Sequence, residues 1–486
     1  MNPALKTNNY APTGLPTSRL KEKLLLVRSL KITTILTNYI LMRQRRFLLC
    51  VFWLISVSGL RAQDQPIDST RFNVEEMVKF AMLHSPLIQM SELDAEIGDQ
   101  QIKSSLSAWF PQIAANTQWS NNLKLQTQPI GDQLITFGQP YSGNVNFTVD
   151  QAIFNRDVFL ASKGSKLART QLSQTLETQK IDAVVTVARA FYDLLLTIEQ
   201  IKVFDENIVR QEKQYKDAKT RYDVGLVDKT DYQRASISLA NLQSERNRQV
   251  SSLEAKYSYL KQVSGYPLDR ELTLHYEYGE MAGRAELEFS PDFLLESRVD
   301  YQLAKTQYSL TELETSYSKW AYIPTVRGFY NYNFLFFDQR FSGLLDESYP
   351  TSAIGLAATI PIFQGGKRAH DVKVAKLRQE RSQVSLTDYE KQLNTEYESA
   401  LAAYNSNYFT WQTLQDNLAL AEEVYNTIKF QYDEGVKAYV DLVVAESELR
   451  AAQINNYNAL YSVLSSKLDL QRAMGQINPT SIESSF

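Results

Sequence analysis

The sequence has very few of the residues that covalent cross-links, metal sites and catalytic centres need. It contains a single cysteine, Cys50, and three histidines, none at metal-ligand spacing from another histidine or cysteine: His84, His275 and His370. It has no phosphate-binding loop, nucleophile elbow or zinc motif. Gly365 and Gly366 are two consecutive glycines with no further glycine-rich motif around them, which favours a backbone bend at a strand end over a binding loop. We therefore predict that the protein is not an enzyme and has no cofactor or metal.

Proline and glycine are also scarce, at 14 and 18 of 486 residues. From Val158 to Tyr222 there is no proline and only Gly164, so a helix there could approach ~95 Å at ~1.5 Å per residue. Apolar residues recur in it at spacings of three and four, and a second seam follows later in the chain: Ile181, Val184, Ala188, Phe191, Leu195, Ile198; and Leu393, Tyr397, Ala400, Tyr404, Trp411, Leu414, Leu418, Ala421, Tyr425, Ile428, with Asn407 as a polar break. This 3.5-residue period predicts long helices supercoiled against partner helices.

The N-terminal region has the zones of a secretory signal peptide. Basic residues from Met42 to Arg46 precede an apolar run, Phe47–Leu60, that is too short to anchor stably in a bilayer. We predict export with residues 1–62 removed and translation starting at Met42, which N-terminal sequencing would check. The bulky Leu49 before Cys50 argues against a lipid anchor. Removing 1–62 leaves 41 basic and 54 acidic side chains, so we expect no nucleic-acid partner and no disulfides.

The remaining chain repeats itself about 210 residues apart. Three landmarks return at nearly constant spacing: Gly225 as Gly435, Phe154 as Phe363, and Pro111 as Pro324. A period this long indicates a duplicated half rather than a solenoid. We divide the mature chain into a first repeat (63–263), a linker (264–291), a second repeat (292–477) and a tail (478–486).

Each half combines strands with helices. After a helical pattern from Asn73 to about Ala108, alternating residues predict strands around 113–122 and 144–150, with turn-forming residues from Gln126 to Ser142 between them. The second half predicts strands over 325–337 and 352–360. About ten residues suffice for a tilted strand to cross a bilayer, so we count four spanning strands.

Gly225 and Gly435 follow the two long helices and predict left-handed C′ residues that end them. New helices begin near Asp231 and Asp441 and run back to about Val263 and Met474. The fold class is therefore mainly α with β, built from long antiparallel helical hairpins with tips far from the strands. The open sheet edges require other chains, and three chains give twelve strands with room for a lumen.

The order helix, strand hairpin, long helix, Tyr-x-x-Gly tip and helix, given twice behind a signal peptide, resembles the TolC-like outer-membrane efflux proteins. The resemblance covers roughly 73–477 and is carried by the first tip (Val224 to Asp231), the strand end Pro361 to Gly366 and the second tip (Tyr432 to Asp441). It implies a homotrimer with a twelve-stranded barrel in outer-membrane lipid and a helical tunnel in the periplasm. A periplasmic adaptor and an inner-membrane pump are the implied partners.

The resemblance also implies roles for the tips. Adaptor docking falls on Val224, Gly225, Leu226, Glu434, Gly435 and Val436. A periplasmic gate falls on Asp441, with Lys437 and Tyr432 helping to hold the entrance closed. Some family members carry a second aspartate where this chain has Val444.

Several alternatives stay open at this point. The tips are also compatible with turns that have no partner, and Asp441 and its repeat partner Asp231 both suit helix N-termini. An exit duct for small toxic compounds is the first interpretation of function, and a type I protein-secretion duct is the second. A soluble periplasmic coiled-coil scaffold or adaptor is the third.

Overall fold

The computed structural model describes residues 71–287 and 293–479. The predicted signal peptide, start at Met42 and Cys50 lie outside these residues, as does most of the predicted tail. The described chain is mainly helical, and none of its helices is long and apolar enough to span a membrane. Its elements are β1 (Arg71–Phe72), α1 (Val74–His84), α2 (Pro86–Leu106), β2 (Gln112–Asn121), β3 (Gln126–Ile130), β4 (Gln133–Phe137), β5 (Tyr141–Phe154), α3 (Arg156–Asp223), α4 (Lys229–Ser264), β6 (Thr273–Leu274), α5 (Tyr278–Gly283), α6 (Val299–Trp320), β7 (Thr325–Asp338), β8 (Tyr349–Thr359), α7 (Lys367–Asp433) and α8 (Tyr439–Ala473).

The four predicted strands form one antiparallel sheet in the order β2-β5-β7-β8. Side chains alternate, so one face carries apolar residues such as Ile113, Phe147 and Ile354. The other face carries a neutral polar row, in which Asn146 pairs with Asn116 on one side and Asn333 on the other. Within the described chain, β2 and β8 each have one edge without a partner strand.

The stretch from Gln126 to Ser142 is more than the turn that its composition suggested. It contains an additional hairpin, β3–β4, that closes through Gly131 in the left-handed region (φ 63°) and Asp132. The Thr127 and Thr136 hydroxyls are hydrogen-bonded across it at 3.1 Å. Asn122 N–H donates to the Pro140 carbonyl at 2.6 Å, which extends the β2–β5 pairing by one step toward this separate two-stranded sheet. Two-residue turns containing glycine favour hairpins of this kind.

The first helical region is two helices rather than one. Ser85 takes an extended conformation (φ −60°, ψ 125°) and Pro86 begins α2, because proline suits the first helical position and disfavours helix at the residue before it. Helix α1 starts at Asn73, whose side chain accepts from Glu76 N–H at 2.8 Å, while Glu76 accepts from Asn73 N–H at 2.9 Å. This reciprocal capping box fixes the helix start.

Two long helical hairpins extend from the sheet. Helix α3 has 68 residues and α7 has 67, or about 100 Å each at ~1.5 Å per residue. The predicted seams are buried at Val184, Ala188, Phe191, Leu195, Leu393, Tyr397, Tyr404, Trp411 and Tyr425. The polar break at Asn407 is explained by its side-chain donation to the Ser462 carbonyl of α8 at 3.3 Å. The helical hairpins that the period predicted are therefore present.

The segment between α4 and α6 is attached to the helices by hydrogen bonds. Strand β6 pairs in parallel with β1, which sequence periodicity did not predict for two-residue strands. The Tyr404 hydroxyl donates to the Ala285 carbonyl at 2.9 Å, and Lys467 Nζ donates to the Arg284 carbonyl at 2.8 Å. The connection is therefore held against the middle of α7 and the C-terminal part of α8.

Candidate functional site

Both long helices end in the same hydrogen-bonded motif. Leu226 N–H donates to the Arg221 carbonyl at 2.8 Å, and Val436 N–H donates to the Gln431 carbonyl at 2.8 Å. The glycine enclosed by each of these hydrogen bonds, Gly225 or Gly435, has a φ value of 76° or 75° respectively. These are Schellman motifs with a left-handed glycine at C′. The predicted helix stops at the two glycines are therefore confirmed.

The apex of each tip is open to solvent. Val224, Leu226 and Val436 are 65%, 76% and 75% exposed, and Glu434 is exposed as well. A Cβ atom added to either apical glycine would meet nothing within 4 Å in the described chain. Apolar side chains this exposed on a tight turn suit contact with a partner protein. Their role in docking stays a prediction.

Tyr432 packs beside Tyr439 of its own hairpin and contacts Arg221 of the first hairpin. Its ring centroid is 5.9 Å from that of Tyr439 and 5.5 Å from Arg221 Cζ. Burial raises the pKa of Tyr432, which the nearby Arg221 partly opposes. Tyr432 therefore contributes to the contact between hairpins, as a residue that holds the two tips together would.

Lys437 and Asp441 are brought together at the start of α8. Lys437 Nζ lies 3.9 Å from Asp441 Oδ2, and both side chains are about two-fifths exposed. Asp441 Oδ2 also accepts from Ala438 N–H at 3.3 Å. Ala438 at the N-cap has no polar side chain to accept from the first-turn N–H groups. Asp441, at the third helical position, instead accepts from the N–H of the N-cap residue, which is the other half of a capping box.

The helix that follows the first tip, α4, is capped by a different residue. There Asp228 occupies the N-cap and accepts from Thr230 N–H at 3.2 Å. Asp441 therefore makes a helix-end hydrogen bond, as Asp228 does in the first hairpin, while Asp231 lies in the first turn of α4. The gate role of Asp441 is a separate prediction.

The structure adds polar contacts between the hairpins that sequence reasoning missed. Gln211 Nε2 donates to the Tyr439 hydroxyl at 3.3 Å, and Gln214 Nε2 donates to Glu446 Oε1. Glu446 is 6% exposed. The sequence did contain a signal for the buried position of Glu446, because this residue lies in an otherwise apolar seam of α8 with Leu442 and Leu449. Its partner on α3 could not be read from the sequence, since the two helices are not adjacent in the chain.

No group of three or more histidine, cysteine or acidic side chains in the described ranges is arranged to hold a metal ion. The geometry consists of membrane-length strands, long helical hairpins and paired tips. Long helical hairpins joined to one antiparallel sheet therefore define the architecture of this chain. The family model described as Outer membrane efflux protein matches residues 78–265 and 322–476. The chain belongs to this family, as the resemblance indicated.

Individual relatives support the same assignment. The chain is 22% identical to outer membrane protein TolC of Vibrio cholerae over 420 residues, covering 84% of this chain and 91% of TolC. It is 18% identical to the proteases secretion protein PrtF of Dickeya chrysanthemi over 468 residues, covering 90% and 93%. The crystal structure of the Campylobacter jejuni CmeC outer membrane channel matches with a TM-score of 0.70 at 16% identity, covering 88% and 94%. These relatives are outer-membrane channel and secretion proteins rather than enzymes.

Proposed function

We propose that this protein is the exit duct of a tripartite export system and works as a homotrimer in the outer membrane. In this proposal the sheet crosses the membrane, and the helical hairpins form a tunnel through the periplasm. An inner-membrane pump delivers the substrate, and an adaptor joins pump and duct. The observation that carries the proposal is the four-stranded sheet of membrane-length strands with both edges unpaired within the described chain.

The unpaired strands need partners in a bilayer. Backbone N–H and C=O groups facing lipid cost several kcal/mol each, so an open sheet must close with other copies. Two copies give eight strands, a number whose barrel is filled by side chains, whereas three give twelve and leave a lumen. The apolar face of the sheet then meets lipid, and the row of Asn116, Asn146 and Asn333 lines the lumen.

The helices have matching open edges. Helix α2 exposes an apolar stripe that includes Leu87, Met90, Leu93 and Ile97, and α7 exposes Val374, Leu377 and Val384. Within the chain, α2 packs on α3, α3 packs on α6, and α6 packs on α7. The two apolar stripes therefore lie on the outer helices of this row of four. Contact between α7 of one copy and α2 of the next would cover both stripes and close the tunnel.

The tips are the proposed docking and gating region. Val224, Gly225, Leu226, Glu434, Gly435 and Val436 would contact the adaptor. Three copies would bring three Asp441 carboxylates toward one axis, and such a ring favours cations. Lys437, 3.9 Å from Asp441, and Tyr432, packed on Arg221 and Tyr439, would hold this region in its closed arrangement.

Small toxic compounds are the proposed substrates, and secreted protein is the alternative, favoured by the likeness to PrtF. A soluble periplasmic scaffold fits poorly with a chain of the outer membrane efflux family. The two-repeat division at 63–263 and 292–477 is part of the proposal and accounts for the paired tips.

The proposal is tested by deleting the gene and complementing it. We expect deletion to raise sensitivity to membrane-permeant toxic compounds and the wild-type gene to restore resistance. Co-purification in detergent should recover an adaptor and an inner-membrane pump. Recovery of the mature protein in the soluble fraction after lysis without detergent would contradict the outer-membrane duct. Unchanged sensitivity combined with loss of an extracellular protein would favour the secretion alternative.

A further inference from the structure

A buried carboxylate lies between the two hairpins above the tips. Glu446 of α8 is 6% exposed, and its Oε1 accepts a hydrogen bond from Gln214 Nε2 of α3. The hydrogen bond crosses from one hairpin to the other. A buried carboxylate held by a single neutral donor is poorly compensated for the water it has lost.

A second candidate partner stands one turn away on the same helix. Arg210 of α3 precedes Gln214 by four residues, and its guanidinium Cζ lies 5.9 Å from the ring centroid of Tyr425 on α7. Its Nε and Nη2 atoms are shielded from solvent, and no acceptor among the described residues bonds to them. Gln214 Oε1 is likewise buried without a donor in this part of the chain. The charge of Arg210 acts on Glu446, but no hydrogen bond or ion pair joins the two side chains in the described part of the chain.

The charges around Glu446 come from several helices. Burial raises the pKa of Glu446, while the bond from Gln214 and the charges of Arg210, Arg450 and Lys429 oppose that rise. Lys429 on α7 is itself paired with Asp433 at 2.8 Å. Burial lowers the pKa of Arg450, against the opposing charges of Glu446 and of Glu245 on α4. Arg210 is thus the nearby cation on the facing α3 whose donors lack acceptors.

We propose that Glu446 is a two-position latch between the hairpins, bonded to Gln214 in this structure and to Arg210 after α8 shifts along α3. The shift is about one helical turn, roughly 6 Å at ~1.5 Å per residue, because the two partners are four residues apart. Helix α3 runs toward its tip and α8 runs away from its own, so the exchange retracts the second tip relative to the first. Tyr432 packs with Tyr425 and Leu442 in one cluster, so α7 and α8 move together.

The Arg210 position offers Glu446 a stronger partner than Gln214 does. A carboxylate bonded to a guanidinium forms a charge-assisted pair, and the exchange gives an acceptor to the shielded Nε and Nη2 donors of Arg210. Protonation of Glu446 favours the Gln214 position, because a neutral acid can donate to Gln214 Oε1 and attracts Arg210 less. Raising the pH should therefore populate the Arg210 position. The latch is a feature of one chain, and only its effect on channel opening rests on the proposed function.

The register of α8 on α3 tests the latch directly. Gln200 Nε2 donates to Asn458 Oδ1 at 2.9 Å, so these two residues face each other in the present register. In a Cys50→Ser background, the pair Gln200→Cys and Asn458→Cys should be cross-linked by a short bis-maleimide when α8 is in this register. Gln200→Cys with Ile454→Cys reports the retracted register, because Ile454 lies one turn nearer the second tip. Cross-linking by either pair shows that the variant is folded.

We expect Gln214→Leu to raise the ratio of retracted to present cross-links about tenfold, the order expected for loss of a hydrogen bond to a charged group. Adding Arg210→Met should cancel that rise, and Glu446→Gln should remove the dependence of the ratio on pH. Glu448→Gln, an exposed carboxylate on the same helix, is the matched control and should change nothing. An unchanged ratio in Gln214→Leu, or a rise that survives Arg210→Met, would overturn the latch.

Planar-bilayer recording of the same variants separates the latch from the exit-duct proposal. If both hold, Gln214→Leu should also raise the open fraction about tenfold, in parallel with the cross-link ratio. A shifted register in a protein that gives no channel current would count against the duct and leave the latch intact. A higher open fraction without a change of register would overturn the latch.

Discussion

The hydroxyl oxygen of Tyr439 accepts a hydrogen bond from Gln211 Nε2 at 3.3 Å, which joins the second hairpin to the first just above the tips. Gln211 Nε2 also lies 3.4 Å from the Ala235 carbonyl of α4. Tyr439 is 7% exposed and packs with Ala218 and Ala235, and burial raises its pKa to about 12. One buried side chain therefore connects α3, α4 and α8.

Tyr439→Ala should loosen both tips together. Removing a buried aromatic ring typically costs about 3 kcal/mol or more, and here the loss falls on the junction of three helices. We expect faster hydrogen exchange in 211–232 and 432–446, with little change near the sheet. Tyr439→Phe, which keeps the ring and loses only the hydroxyl, should show a much smaller effect. Exchange confined to the second hairpin would contradict the role of Tyr439 as a junction.

Gly225→Val and Gly435→Val should destabilise the tips through backbone strain alone. A valine Cβ at either position clashes with nothing in the described chain, but a β-branched residue strongly resists φ near 75°. The cost should exceed the ~1 kcal/mol typical of a cap. Limited proteolysis should show faster cleavage at the altered tip.

The matched controls are Gly225→Asn and Gly435→Asn, because asparagine tolerates the left-handed region better than valine does. These variants should cleave at nearly the wild-type rate. If the tips dock the adaptor, both valine variants should also lose adaptor cross-linking. Unchanged export and cross-linking in both valine variants would argue that the tips are turns without a partner.

The parts of this molecule that depend on local sequence were predictable, and the parts that depend on tertiary register were not. Gly225 and Gly435 end their helices for reasons contained in a few neighbouring residues, so both stops were found. The strands 325–337 and 352–360 alternate clearly and were found within three residues of their ends. The β3–β4 hairpin was missed because Pro129 and Gly131 indicate a turn, and the whole stretch from Gln126 to Ser142 was assigned as one long turn.

The candidate site shows the same division. Tyr432, Lys437 and Asp441 were placed from a motif, but their contacts follow from packing. The sequence places Asp441 near a helix start, but its hydrogen bond from Ala438 N–H is seen only in the structure. The pairing of Glu446 with Gln214 links positions 232 residues apart on helices whose alignment is set by the whole fold.

Val384→Arg should weaken the proposed trimer. Val384 is 69% exposed on the outer side of α7, in the stripe that would pack on α2 of the next copy. A buried, unpaired arginine at such a contact costs several kcal/mol. Native mass measurement in detergent should show three copies for the wild type and a larger monomer fraction for the variant.

Leu268→Arg is the control for that measurement. Leu268 is equally exposed, at 69%, but lies in the segment that connects the halves. It should leave the trimer unchanged. A wild-type mass of one or two copies, or an equal loss of trimer in both variants, would contradict the assignment of α7 as a subunit edge.

The charge and the helix-capping role of Asp441 can be tested separately. Asparagine keeps a side-chain oxygen that can accept from Ala438 N–H, as Asp441 does at 3.3 Å, so Asp441→Asn removes the charge and preserves the cap. Lys437, 3.9 Å away, offsets part of that charge. Val444, where some family members carry a second aspartate, adds no charge, so the cation preference should be weaker than two rings of carboxylates would give.

Asp441→Asn should therefore lower cation selectivity in planar-bilayer recordings, because three carboxylates near one axis would be lost at the narrowest point. Asp231→Asn is the matched control: Asp231 holds the equivalent position after the first tip, where Asp228 already caps the helix, so its loss should leave selectivity unchanged. The reversal potential under a salt gradient measures the difference. If the reversal potential shifts equally in the two variants, or shifts in neither, Asp441 has only a helix-end role. A shift in Asp441→Asn alone would place the selectivity ring at the second tip, beside the Lys437 contact.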